Sequence, residues 1–127
     1  MDYFELTIEV EFCGAHILVG HQGKCANLHG HNYKTEVCII GNKLNEIGML
    51  IDFADLKKEV NNVVDTLDHK YINEIDYPEF LEGKTSAENI AKYLFERVEM
   101  KLNSNNAKVE YVRIWETSKY SVKYSKR

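Results

Sequence analysis

The sequence predicts an α+β domain: a four-stranded antiparallel sheet carrying two helices on one face, in the order ββααββ. Two observations predict it. Apolar residues alternate with polar ones near both ends of the chain, and between those stretches lie two segments whose apolar positions recur at the helical period.

Phe4, Leu6, Ile8, Val10 and Phe12 alternate with Glu5, Thr7, Glu9 and Glu11, which marks a strand with one buried face. A looser stretch with Gly20, Gly23 and Gly30 follows. Alternation resumes at Tyr33, Thr35, Val37 and Ile39, so a second strand is expected over residues 32–40, ending at a Gly41-Asn42 turn. Asp52 can cap a helix with Phe53, Leu56, Val60, Val63, Val64 and Leu67 on one side and Asp55 in its first turn, running to about Asp68. Tyr77-Pro78 then reads as a break in a loop. Thr85 and Glu88 have capping-box spacing ahead of Ile90, Ala91, Leu94, Val98 and Leu102, a second helix that stops at a turn over residues 103–106. Residues 108–116 and 120–124 complete the sheet as two strands.

A length of 127 residues suits one domain, 1–127, with a single core. The net charge of -4, without a Lys/Arg block, argues against nucleic acid as the main partner. Acidic residues near the N-terminus are unlike a signal peptide, and no apolar run is long enough for a membrane helix. Cys13, Cys25 and Cys38 cannot all pair within the chain and match no disulfide framework, so reduced thiols in the cytoplasm are expected. Cys13 and Cys38 fall within strands and read as small buried hydrophobes.

Candidate chemistry gathers on histidines. Alone, His29 and His31 in HGH read better as loop residues beside a turn. His16 changes the balance, because it shares the parity of Val10 and Phe12 while His29 and His31 share that of Tyr33 and Val37. If alternation reaches both strand ends, all three imidazoles lie on the apolar face, and three histidines with an open fourth position make a catalytic zinc site. His21, among Gly20, Gln22 and Gly23, reads as a solvated loop residue. Cys25 stands four residues before His29, where a nearby metal would lower the pKa of its thiol. Asp68 and His69 fit equally well a proton-handling pair or a helix terminus favoured by the dipole. Glu116 shares parity with Val112 and Ile114, which places a carboxylate facing inward at a strand end in need of donors.

FCGAH ending at His16, CANLHGHNY from Cys25, GMLIDF from Gly48, LDH ending at His69, SAENIA from Ser86 and WET around Glu116 run almost the whole chain. Together they resemble the group of 6-pyruvoyltetrahydropterin and 6-carboxytetrahydropterin synthases. The resemblance implies the tunnelling fold (T-fold), whose sheets join into barrels as a homohexamer with active sites between subunits. It implies Zn2+ on His16, His29 and His31, with Cys25, Asp68 and His69 handling protons. Glu116 would anchor the pterin, with Ser86 and Glu88 as further pterin contacts. The Cys25-x3-His29 interval is similar to the carboxytetrahydropterin branch of queuosine biosynthesis, whose members convert 7,8-dihydroneopterin triphosphate to 6-carboxy-5,6,7,8-tetrahydropterin, acetaldehyde and triphosphate. Two alternatives are 6-pyruvoyltetrahydropterin synthesis on the same ligands and a non-catalytic, zinc-stabilised pterin-binding protein.

Overall fold

The computed structural model describes residues 2–102 and 106–126. The expected turn over residues 103–106 therefore lies, apart from Asn106, outside the described residues. Five strands form one sheet: β1 (Phe4–His16), β2 (His29–Gly41), β3 (Lys70–Tyr71), β4 (Ala107–Trp115) and β5 (Ser121–Tyr124), in the order β3-β1-β2-β4-β5. Three helices accompany it: α1 (Phe53–Val64), α2 (Pro78–Leu81) and α3 (Ala87–Lys101).

The expectation of four strands is corrected to five. β3 is two residues long and pairs parallel to β1 through Gly14↔Lys70 and Ala15↔Tyr71. So short a pairing leaves no periodic signal. The other strand pairs are antiparallel, as expected.

β1 and β2 form the spine, in unbroken register from Phe4↔Gly41 to His16↔His29. Their apolar parity, including Val10, Phe12, Tyr33 and Val37, is buried on the helix-bearing face. Glu5, Glu9 and Glu11 of β1 are exposed. The two longer helices close the core, with α1 against β1 and α3 against β4 and β5. Gly41 sits where a Cβ would collide with the Asn106 carbonyl oxygen, so the β2 end and the β4 start can only approach this closely without a side chain.

Asp52 caps α1 as expected, its Oδ1 accepting the Ala54 N–H at 2.7 Å. The cap of α3 is corrected. Ser86 is the N-cap, its Oγ accepting the Asn89 N–H at 3.2 Å, so no Thr85–Glu88 capping box forms. The Thr85 hydroxyl instead donates to the Ile17 carbonyl at 3.0 Å. Pro78 does not merely break a loop: it occupies the first turn of α2, where its missing N–H costs nothing.

Candidate metal centre and substrate pocket

Register assembles the histidines. β2 begins at His29, three residues before the expected start, so the alternation does persist to both strand ends. His16 faces His29 directly across the ladder, and His31, two residues on, lies opposite Gly14. The three ring centroids are 4.4 Å (His16–His29), 4.8 Å (His29–His31) and 5.5 Å (His16–His31) apart.

Two of the rings are oriented by carbonyls. His16 Nδ1 lies 2.7 Å from the Thr85 carbonyl oxygen, and His29 Nδ1 lies 2.7 Å from that of Asn27. A carbonyl only accepts, so in both rings Nδ1 carries a proton, and in a neutral imidazole the lone pair is then on Nε2. Burial pushes the pKa of His16 down to about 4, against the Thr85 hydrogen bond, with the neighbouring histidines adding to the fall. Burial also lowers that of His31, opposed by Glu116. These imidazoles are neutral at pH 7, the form that binds metals.

The donor set fits a metal. His29 Nε2 and His31 Nε2 are buried without a hydrogen-bond partner, a costly condition for a ring nitrogen that a coordinated cation would relieve. One ligand atom from each of His16, His29 and His31 lies within 4.8 Å of the others. Three imidazoles suit first-row divalent ions. The carbonyls behind His16 and His29 are the outer partners that fix ligand orientation in such sites.

Around this cluster stand further polar groups. Glu116 Oε2 is 3.5 Å from His31 Nε2, and the carboxylate faces a pocket lined by Glu88, Ile114 and Tyr120. Glu116 lies one residue beyond the end of β4, half-buried. Ser86, two residues before Glu88 in the chain, spends its hydroxyl on the helix cap. Cys25 lies in a single 3-10 turn, Lys24–Ala26, and is partly exposed. Burial pushes the Tyr33 phenol far up, with Glu116 and then Cys25 adding to the rise.

Sequence reasoning missed two residues here. Tyr33 is fully buried, stacks on Phe12 at 4.9 Å and brings its hydroxyl to 3.3 Å from His16 Nε2. Thr85 holds His16. Parity marked Tyr33, directly after HGHN on the histidine face, whereas no local signal ties Thr85 to a strand 69 residues away.

Asp68 and His69 are together, but with Cys13 and not with Cys25. His69 Nδ1 is 3.0 Å from Asp68 Oδ1, and that oxygen also accepts the Cys13 N–H at 2.9 Å. The Cys13 hydrogen bond, then His69, holds the Asp68 carboxyl below the usual carboxylate range. The expectation that Cys13 is buried is corrected: it is exposed, on the parity of Glu9 and Glu11. Cys38 is buried, beside a register shift between β2 and β4, and its thiol is pushed up to about 11, mainly by burial.

Comparison with known proteins places these features in context. The family profile described as 6-pyruvoyl tetrahydropterin synthase matches residues 5–127. A Haemophilus influenzae protein named 6-carboxy-5,6,7,8-tetrahydropterin synthase is 35% identical, over 90% of this chain and 93% of its own. A Rickettsia felis protein of the same name is 33% identical, over 87% and 92%. The structure of Caenorhabditis elegans 6-pyruvoyl tetrahydropterin synthase superposes with a TM-score of 0.84 at 30% identity, covering 100% of this chain and 98% of that one.

Proposed function

The chain belongs to the 6-pyruvoyl tetrahydropterin synthase family, and on that premise we propose that it is a zinc-dependent 6-carboxytetrahydropterin synthase. With one water it converts 7,8-dihydroneopterin triphosphate to 6-carboxy-5,6,7,8-tetrahydropterin, acetaldehyde and triphosphate, a step toward queuosine. The observation that carries the reading is the convergence of His16, His29 and His31 beside the Glu116 carboxylate, with two ring nitrogens buried and unpartnered.

His16, His29 and His31 would hold Zn2+, which when bound supplies Lewis acidity toward oxygens of the substrate side chain. Glu116 accepts from the pterin amino group and ring N–H, a paired donor that matches a carboxylate. Glu88, on the same pocket wall, offers a second acceptor, and Ser86, the cap residue of that helix, is a further pterin contact. The Cys25 thiolate takes the proton from the side-chain carbon, and His69, oriented by Asp68, moves protons to and from the side-chain oxygens.

One chain keeps Asp68 and His69 away from Cys25, which favours a pocket built by two. The sheet edges support that assembly. β3 covers only Gly14 and Ala15 of β1, leaving the backbone edge of Phe4 to Phe12 unpaired by any described strand. Such an edge pairs readily with another chain. The whole chain, 1–127, acts as one domain of a cytoplasmic homohexamer. No helix among the described residues is long and apolar enough to cross a membrane.

Product analysis with dihydroneopterin triphosphate tests the reading. Acetaldehyde and a 6-carboxypterin are expected in equal amounts. A 6-pyruvoyl product without acetaldehyde would move the chain to the other branch, which the Caenorhabditis elegans likeness favours. Binding of pterin and zinc without turnover would leave a non-catalytic pterin-binding protein.

A further inference from the structure

We propose that Cys13, Asp68 and His69 form a second divalent-cation site, suited to zinc and separate from the three-histidine cluster. One sulfur, one carboxylate oxygen and one ring nitrogen lie within 4.8 Å of one another. Tetrahedral zinc, with bonds of about 2.0–2.3 Å, spaces its ligand atoms roughly 3.3–3.8 Å apart. The trio therefore has to contract by about 1.5 Å at most, which rotamer adjustment of accessible side chains can supply. Cys13 and His69 are exposed, and Asp68 is half-buried.

The backbone already holds these side chains in place. The Cys13 N–H donates to Asp68 Oδ1 at 2.9 Å, and the His69 N–H donates to the Cys13 carbonyl at 2.6 Å. This two-way clamp fastens the turn after α1 to β1, and the β3 pairing next to it extends the grip. His69 has φ +58, the only non-glycine residue described with a positive value. A histidine is held in that region only when its surroundings over-determine it. Here the effect is to set the imidazole against Asp68, at 3.0 Å, on the strand face that also carries the Cys13 thiol.

The ligand chemistry selects the ion. A thiolate with an imidazole and a carboxylate suits zinc or cobalt, and does not suit magnesium or calcium, which want oxygen. The Cys13 thiol donates to Asn32 Oδ1 at 2.9 Å, a contact that metal binding would replace as the thiol releases its proton to solvent. Asp68 keeps lone pairs beyond those its two donors occupy. Exposure and the lost proton make this the weaker of the two sites. Its filling would occupy both members of the Asp68–His69 pair, so excess zinc suppresses turnover; that consequence alone rests on the proposed function.

Cobalt titration of the metal-stripped full-length protein tests the site without pterin. Two cobalt ions per chain are expected, the second bringing thiolate-to-cobalt charge-transfer absorption in the near ultraviolet. Cys13→Ser should drop the stoichiometry to one and abolish that absorption. His69→Asn should do the same, and asparagine tolerates the left-handed backbone, so the turn survives. Cys25→Ser should leave the absorption intact, as should the His29→Ala, His31→Ala double variant. A single cobalt per wild-type chain at saturation, without thiolate charge-transfer absorption, would overturn the proposal. So would charge-transfer absorption that persists in Cys13→Ser. Failure to make acetaldehyde would leave the cobalt result standing, so the two readings fail separately.

Discussion

His16 and His29 stand directly opposite each other on β1 and β2, their ring centroids 4.4 Å apart, and each is turned by a backbone carbonyl behind it. Ladder register, more than the HGH motif, creates the cluster. With metal limited to one equivalent, about one zinc per chain is expected on these three histidines, which leave one position open. Elemental analysis of the His29→Ala, His31→Ala variant, prepared without excess metal, should find that site empty. Full retention of its zinc would remove these residues as ligands.

Cys25→Ser separates chemistry from binding. A hydroxyl is a far weaker base than a thiolate, so turnover should fall by ~10²–10⁴ while zinc and pterin binding persist. Single-turnover kinetics beside equilibrium pterin binding reads both quantities. Cys13→Ser, with metal limited to one equivalent, is the control and should turn over normally. Near-normal turnover in Cys25→Ser would pass the base role to another residue, with His69 first in line.

The free edge of β1 predicts association. Light scattering on dilute protein should report an oligomer, and dilution that yields active monomer would contradict the shared pocket. Mixing inactive Cys25→Ser and His69→Asn chains gives a sharper test. If the two residues meet across an interface, mixed oligomers recover part of the activity, and no recovery is expected if each chain is self-sufficient.

Much of this arrangement is legible in the sequence, and what is not has identifiable causes. Strict alternation from Phe4 to Phe12 announces β1, and the same parity carried to His16 announces the histidine face. Cys13 was legible too: its parity is that of Glu9 and Glu11, although residue type suggested burial. Cys38 shares the parity of Lys34 and Glu36, yet it is buried, as its residue type suggests, beside a register shift that has no local signature. Thr85 and Ser86 are both good caps, so only tertiary contacts decide between them; Thr85 is drawn away by His16 and Ile17. The meeting of Asp68 with Cys13 depends on β3, which is too short to announce itself.

Tyr111 provides a pH test far from the histidines. Its hydroxyl donates to Glu36 Oε2 at 2.6 Å, and that bond, then burial, pushes its pKa up to about 12. A pKa raised on folding means that the folded state holds the proton more tightly. The stabilisation is therefore complete below pH 10, the ordinary tyrosine value, and is lost as pH rises through about 12. Tyr111→Phe should cost about 1–2 kcal/mol near neutral pH. The gap to wild type should narrow above pH 10. Denaturant unfolding across that range measures it, and a phenol at position 111 ionising together with the exposed tyrosines would refute it.

The hydrogen bond from His16 to the Thr85 carbonyl has a reach beyond orienting one ring. Thr85 immediately precedes Ser86, the cap of α3, and Glu88 in the first turn of that helix borders the pocket that Glu116 faces. A single bond thus ties the end of the sheet to the start of a helix. Whatever tightens the imidazole cluster also tightens the Thr85 segment, and whatever loads the pocket against Glu88 pulls back on His16. If metal binds the histidines and a pterin binds at Glu88 and Glu116, this connection links the two, and linkage is reciprocal: the pterin would strengthen metal binding by the same factor by which the metal strengthens pterin binding.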